Sequence, residues 1–129
     1  EMKEKYNLAV IFITHDLSLL QSIADKILVM YSGLVLEYGN AADILSNPLH
    51  PYTQGLLSSI PRPGANYRNE KLVTIPGSIP DPTNPPSGCP FAPRCKYAKD
   101  ACNKEVSLTT LANNRQYRCI KEENENVGN

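Results

Sequence analysis

Four cysteines, Cys89, Cys95, Cys102 and Cys119, carry the most reactive side chains of this 129-residue sequence. They follow the pattern C-x5-C-x6-C-x16-C. A thiolate is a soft ligand that suits zinc or an iron–sulfur cluster, and four of them complete a Cys₄ shell for either. The tight C-x2-C pairs of a zinc ribbon are missing, and so is the close-set run of a ferredoxin, so spacing alone does not choose the metal. Two disulfides, in any of three pairings, are the remaining use of four thiols. Pro90 and Pro93 stiffen the loop between the first two cysteines, which lowers the entropy lost on ordering a site there. The polar loops around the cysteines offer little apolar surface, and a cross-linking metal would supply folding energy that burial cannot. Arg94 and Arg118 stand immediately before Cys95 and Cys119. They read either as cations that offset thiolate charge or as solvated surface arginines.

Two histidines complete the reactive set. His15 follows a short apolar run at 8–14 and would sit at the C-terminal end of a strand. Ligands of open α/β sheets bind outside the carboxyl ends of strands, where a neutral imidazole can donate a hydrogen bond to a phosphate oxygen. The plainer reading is a histidine that only caps the strand. His50 lies in Asn-Pro-Leu-His-Pro-Tyr-Thr-Gln-Gly-Leu-Leu at 47–57. By local physics this string is a proline-started helix with His50 as its structural or capping residue. No G-x-x-x-x-G-K-[ST] occurs, so the sequence holds no backbone cradle for nucleotide phosphates.

Regular elements must position these groups. Residues 8–14 form a continuous apolar run rich in β-branched side chains, which predicts a strand buried on both faces as in a parallel sheet. Asp16 is placed to cap a helix over 17–25, whose apolar residues recur at helical spacing. Residues 26–31 and 34–38 predict a hairpin closed by Ser32-Gly33. A short helix at 41–45 ends before Asn47-Pro48, and a second runs to residue 59 and stops at Pro61 and Pro63. Beyond a polar linker at 62–70, a short strand is expected at 72–75. Residues 76–93 hold too many prolines for a helix or a central strand. One or two helical turns at 97–103, a short strand at 116–120 and a frayed polar tail at 121–129 complete the reading.

Composition narrows the function. Lys plus Arg and Asp plus Glu both number 13. Without a basic excess or stripe to neutralise phosphates, nucleic acid is not an expected partner. The longest apolar run is far short of the roughly 20 residues a membrane-spanning helix needs, and no signal-peptide pattern is present. The eleven prolines crowd into 48–93. The first sixty residues therefore read as regular structure, and the remainder as a proline-ordered, cysteine-bearing segment.

The strings Ile-Thr-His-Asp-Leu at 13–17, Ala-Asp-Lys-Ile at 24–27 and Met-Tyr-Ser-Gly-Leu-Val-Leu-Glu-Tyr-Gly at 30–39 resemble the end of an ABC-type ATPase domain. His-Pro-Tyr-Thr-Gln at 50–54, Ile-Pro-Gly-Ser-Ile-Pro at 75–80 and Gly-Cys-Pro-Phe-Ala-Pro-Arg-Cys at 88–95 are similar to the C-terminal extension of oligopeptide and dipeptide importer ATPases. Nickel and glutathione importers share much of this pattern. The resemblance spans residues 6–120. It implies an α/β fold class: the end of a P-loop ABC ATPase domain at 1–47, a small irregular Cys₄ extension at 48–121 and a polar tail at 122–129.

By the same resemblance, His15 is the switch histidine that contacts the γ-phosphate of ATP. The water-activating glutamate, the signature motif and the magnesium-binding acidic strand of that family have no counterpart here. The chain, which starts at Glu1 rather than Met, is expected to be a fragment that cannot hydrolyse ATP alone. The resemblance further implies ATP and Mg in the parent protein. It also implies a [4Fe-4S] cluster on Cys89, Cys95, Cys102 and Cys119, with Zn as the alternative. The implied partners are a second ATPase subunit, membrane permease subunits and, indirectly, a peptide-binding protein, all at the cytoplasmic face of the membrane. Exposed strand edges of a fragment are expected to drive self-association. The reading from another class is a stand-alone metal-binding interaction module that uses the first sixty residues as an assembly surface.

Overall fold

The structure, a computed structural model, describes residues 5–60, 74–81 and 83–121. Helix α1 (Leu17–Ile23) starts where predicted, with the Asp16 carboxylate accepting from the Ser18 N–H at 2.8 Å. Strands β1 (Lys26–Tyr31) and β2 (Leu34–Asn40) form the hairpin. Its turn residues Ser32 and Gly33 take φ of 48° and 80°. Two positive φ values match the twist of an antiparallel pair, and glycine adopts one without steric cost. β1 alternates cleanly, with Ile27, Val29 and Tyr31 buried and Lys26, Leu28 and Met30 exposed. A register shift between Val29 and Met30 bends the strand, as an extra residue in one strand does. Helices α2 (Ala41–Ser46) and α3 (Pro51–Ser58) follow, and Pro51 occupies the first turn of α3.

The rest of the described chain is mostly irregular. Two 3₁₀ turns cover Ala92–Arg94 and Asp100–Asn103. The two-residue strands β3 (Thr109–Thr110) and β4 (Gln116–Tyr117) then close the sheet, whose order is β1-β2-β4-β3. β4 pairs with β2 through Glu37–Tyr117 and Tyr38–Gln116. The sheet therefore joins the hairpin to the far end of the cysteine-bearing segment.

Two clusters of buried side chains result. Ile27, Val29, Ala41 and Ile44 form one, between the hairpin and α2. Tyr31, Leu36, Cys89, Phe91, Cys102 and Val106 form the other. Tyr52 of α3 packs against both. Its ring stands 4.7 Å from that of Tyr31 and 5.3 Å from that of Phe91, a spacing at which tilted aromatic pairs attract.

Residues 8–14 depart from expectation. They adopt no strand, and Ile11 and Ile13 are over 90% exposed. A β-branched run becomes a strand only when neighbours take its backbone hydrogen bonds and side chains, and no described residue pairs with it. The expected parallel geometry is also corrected, because every pairing among the described residues is antiparallel. Thr74 and Ile75 are not in a strand. Residues 72 and 73, the linker at 62–70 and the tail from 122 onward lie outside the described residues.

Candidate metal centre

Each of the four cysteines is placed by a short local device. The Cys89 N–H donates to the Cys102 carbonyl at 2.8 Å, and the Cys89 carbonyl accepts from the Ala92 N–H at 3.0 Å. These bonds bring the Pro-rich loop against the second 3₁₀ turn. The approach is so close that a Cβ built on Gly88 would lie 2.0 Å from the Cys102 carbonyl oxygen, so this position accepts glycine alone. Cys95 leaves the first 3₁₀ turn with its N–H on the Ala92 carbonyl at 3.1 Å. Cys102 sits inside the second turn, and its sulfur accepts from the Lys99 N–H at 3.5 Å. Cys119 follows β4, where the Arg118 N–H donates to the Leu36 carbonyl at 2.9 Å, and its sulfur accepts from the Lys121 N–H at 3.4 Å.

All four cysteines line one cavity of about 20 Å³. His50, Phe91, Val106 and Lys121 share its wall. No cysteine is in a disulfide. Burial pushes the Cys89, Cys95 and Cys119 thiols up from 9.0, and proximity to other cysteine sulfurs of the set pushes each the same way. Backbone N–H groups two or three residues ahead oppose the shift: Phe91 and Ala92 act on Cys89, Tyr97 on Cys95 and Lys121 on Cys119. Donors aimed at sulfur favour its charged form, so the loop is built to carry thiolates once their protons leave. Among the described residues, no group of three or more His, Cys, Asp or Glu side chains is placed to hold a single metal ion. One tetrahedral zinc, with Zn–S bonds of about 2.3 Å, would draw its sulfurs to within roughly 4 Å of one another. The four cysteines line one cavity without forming such a set.

Of the two arginines that the sequence places beside cysteines, Arg118 acts on a thiolate and Arg94 does not. Arg94 is committed elsewhere: it donates to the carbonyls of Pro76 at 2.8 Å and Ile75 at 2.9 Å, and to the Tyr31 hydroxyl at 3.2 Å. Arg118 holds the carbonyls of Val35 at 3.0 Å and Val106 at 2.7 Å while its charge also favours the Cys89 thiolate. Neither is simply a solvated surface side chain. Lys121, expected to begin a frayed tail, is buried, stacks 3.6 Å from the Tyr97 ring centre and favours the Cys95 thiolate. Only its place two residues after Cys119 could have marked it.

Behind the cavity lies a buried ionic group. Glu37 is fully buried and accepts from the Leu49 N–H at 2.9 Å, the His50 N–H at 3.0 Å and Arg115 Nη2 at 2.7 Å. Arg115 Nη2 also donates to the Asn47 carbonyl. A central strand, the start of α3 and the loop before β4 thereby meet at one carboxylate. His50 caps α3 as expected, with Nδ1 accepting from the Tyr52 N–H at 3.0 Å. Burial pushes its pKa down to about 4. His15 lies apart, exposed ahead of α1 and outside the cysteine cavity.

The family model described as oligopeptide/dipeptide transporter, C-terminal region, matches residues 36–102, more than half of the chain. The chain belongs to this family. Its match runs from the centre of β2 through α3 to the third cysteine, and so takes in Glu37, His50 and three of the four cysteines but not Arg115, Arg118, Cys119 or Lys121. The oligopeptide transport ATP-binding protein OppD of Escherichia coli (strain K12) is 45% identical over 121 residues, covering 94% of the chain and 35% of that protein. The proteins of the same name from Salmonella typhimurium and Haemophilus influenzae are 43% and 44% identical, over 94% and 92% of the chain. The chain spans about a third of the length of these relatives. No helix among the described residues is long and apolar enough to cross a membrane.

Proposed function

We propose that this chain is the C-terminal portion of the ATPase subunit of an ABC importer for oligopeptides or dipeptides. The observation that carries the reading is the similarity to oligopeptide transport ATP-binding proteins over more than nine-tenths of the chain. In the whole subunit, ATP and Mg bind mainly through residues other than these. His15 contributes the γ-phosphate contact. A second ATPase subunit and membrane permease subunits are the partners, at the cytoplasmic face of the membrane, with a peptide-binding protein acting indirectly. The exposed apolar side chains of residues 8–13 support this reading over a stand-alone module, because a closed module would have covered them. Residues 1–47 are assigned to the ATPase domain and 48–121 to a regulatory and interaction extension.

Cys89, Cys95, Cys102 and Cys119 are the ligands of that extension's metal site, and a [4Fe-4S] cluster is the group that suits them best. Three features support the choice. The donor set is thiol alone, all four cysteines line one cavity, and backbone N–H groups and the charges of Arg118 and Lys121 favour their thiolates. The cluster supplies cross-linking between loops whose Phe91 and Val106 also pack into a core with Tyr31 and Leu36, more apolar burial than the sequence suggested. The chain's own residues hold the thiols, exclude water with Phe91 and Val106, and offset negative charge with Arg118 and Lys121.

Anaerobic purification followed by iron, sulfide and zinc analysis tests the site. Iron and acid-labile sulfide at about four each per chain are expected. Stoichiometric zinc without iron would overturn the cluster. For the transport reading, His15→Ala in the complete subunit should abolish most ATP hydrolysis while nucleotide still binds. Unchanged turnover would remove His15 from the reaction.

A further inference from the structure

We propose that His50 is a positioning residue of the cysteine centre, its Nε2–H donating a hydrogen bond to a sulfur of the group held there and so raising that group's reduction potential. The inference rests on the cluster reading above. His50 is 1% exposed and lines the same cavity as the four cysteines. Its other polar atoms are already committed. The backbone N–H donates to Glu37 Oε2, and Nδ1 accepts from the Tyr52 N–H. A neutral imidazole that accepts at Nδ1 carries its proton at Nε2. That Nε2 is buried and has no hydrogen-bond partner.

A buried donor without an acceptor costs stability. The ring cannot turn to find one without breaking the cap of α3. Glu37 fixes the backbone beneath it, and Phe91 stands against it at 6.0 Å between ring centres. The cavity wall near it is largely apolar, with Pro51, Phe91 and Val106. The acceptor that fits is therefore a sulfur of the cavity's own occupant. Hydrogen bonds to cluster sulfurs favour the more negatively charged, reduced state, which raises the potential. The loops supply backbone donors to Cys89, Cys95, Cys102 and Cys119. His50 adds a side-chain donor from the N-cap of α3.

His50→Asn separates the two roles of the ring. Asparagine retains a capping acceptor near the Nδ1 position but has no donor at the Nε2 reach. The protein is purified anaerobically and its iron and sulfide are counted. Its potential is measured by redox titration. Pulsed electron paramagnetic resonance of the reduced cluster, in protein grown on heavy-nitrogen histidine, reads the bond directly. Wild-type protein is expected to show coupling to an imidazole nitrogen. H50N is expected to keep its iron and sulfide, lose that coupling and shift to a more negative potential. A loaded wild-type cluster without the coupling, or an unchanged potential in loaded H50N, would overturn the inference alone. Wild-type protein without iron and sulfide would overturn the cluster reading and this inference together.

Discussion

Replacing Arg115 by methionine tests whether the buried ion pair organises the molecule. Arg115 and Glu37 are 5% and 0% exposed, and the pair closes at 2.7 Å. In R115M the Glu37 carboxylate would keep the Leu49 and His50 N–H groups but lose its only countercharge in the pair. Stranding one buried charge in this way costs about 3–5 kcal/mol. A domain of this kind has about 5–15 kcal/mol in total, so the variant should lose a large share of its stability. Glu37→Met should lose at least as much, because it leaves Arg115 uncompensated and two backbone donors bare. The double variant removes both charges. Its loss should fall short of the summed single losses by on the order of 2–3 kcal/mol. Urea denaturation followed by circular dichroism and tyrosine fluorescence supplies these values, provided the two probes coincide. An R115M loss below about 1 kcal/mol, or strict additivity in the cycle, would refute the reasoning.

The metal-free protein should also lose stability between pH 6.5 and about 4. His50 is neutral in the fold but protonates in the unfolded chain as pH falls through 6.5. Its contribution is complete above that range and disappears towards the folded value, for a total of about 3 kcal/mol. H50N should flatten this part of a stability–pH profile, and an equally steep profile would rule the histidine out. Gly88→Ala should cost at least about 1–3 kcal/mol and release bound metal, because the new methyl group would meet a backbone oxygen that no side-chain rotation can move. Retained metal with wild-type melting would contradict the close approach. Metal uptake by the apo protein should release close to one proton per captured thiol at neutral pH and weaken as pH falls, since burial holds Cys89, Cys95 and Cys119 protonated. Calorimetry in buffers of different ionisation enthalpy reads the proton count, and a count near zero would contradict it.

Local signals in the sequence were specific where the causes are local. Asp16 capping α1, the Ser32-Gly33 turn, Pro51 opening α3 and His50 capping it each depend on a few neighbouring residues. The run at 8–14 misled because a strand is a property of pairs, and the described chain provides no partner. Glu37 was hidden for the opposite reason. One acidic residue in an apolar string looks like a solvent-facing strand position, yet its partner Arg115 is 78 positions away. The cysteines were identifiable as a set by type and number. Their shared cavity was not legible, because it depends on β4 pairing and on the fit of Gly88 against Cys102. Arg94 fits neither of its two sequence readings, because adjacency to Cys95 along the chain does not determine where a long side chain points.

The β2–β4 pairing also places a time order on the molecule. Cys89, Cys95 and Cys102 lie within one short stretch, whereas Cys119 arrives only with a strand that must find Glu37 and Tyr38 across some eighty residues of chain. Contacts of such separation form late, because the loop must close before they are rewarded. During synthesis, the three early thiols emerge first and remain one ligand short. A group that demands all four can settle only after the last strand has docked, so its retention would certify that the chain has been made and folded through residue 119.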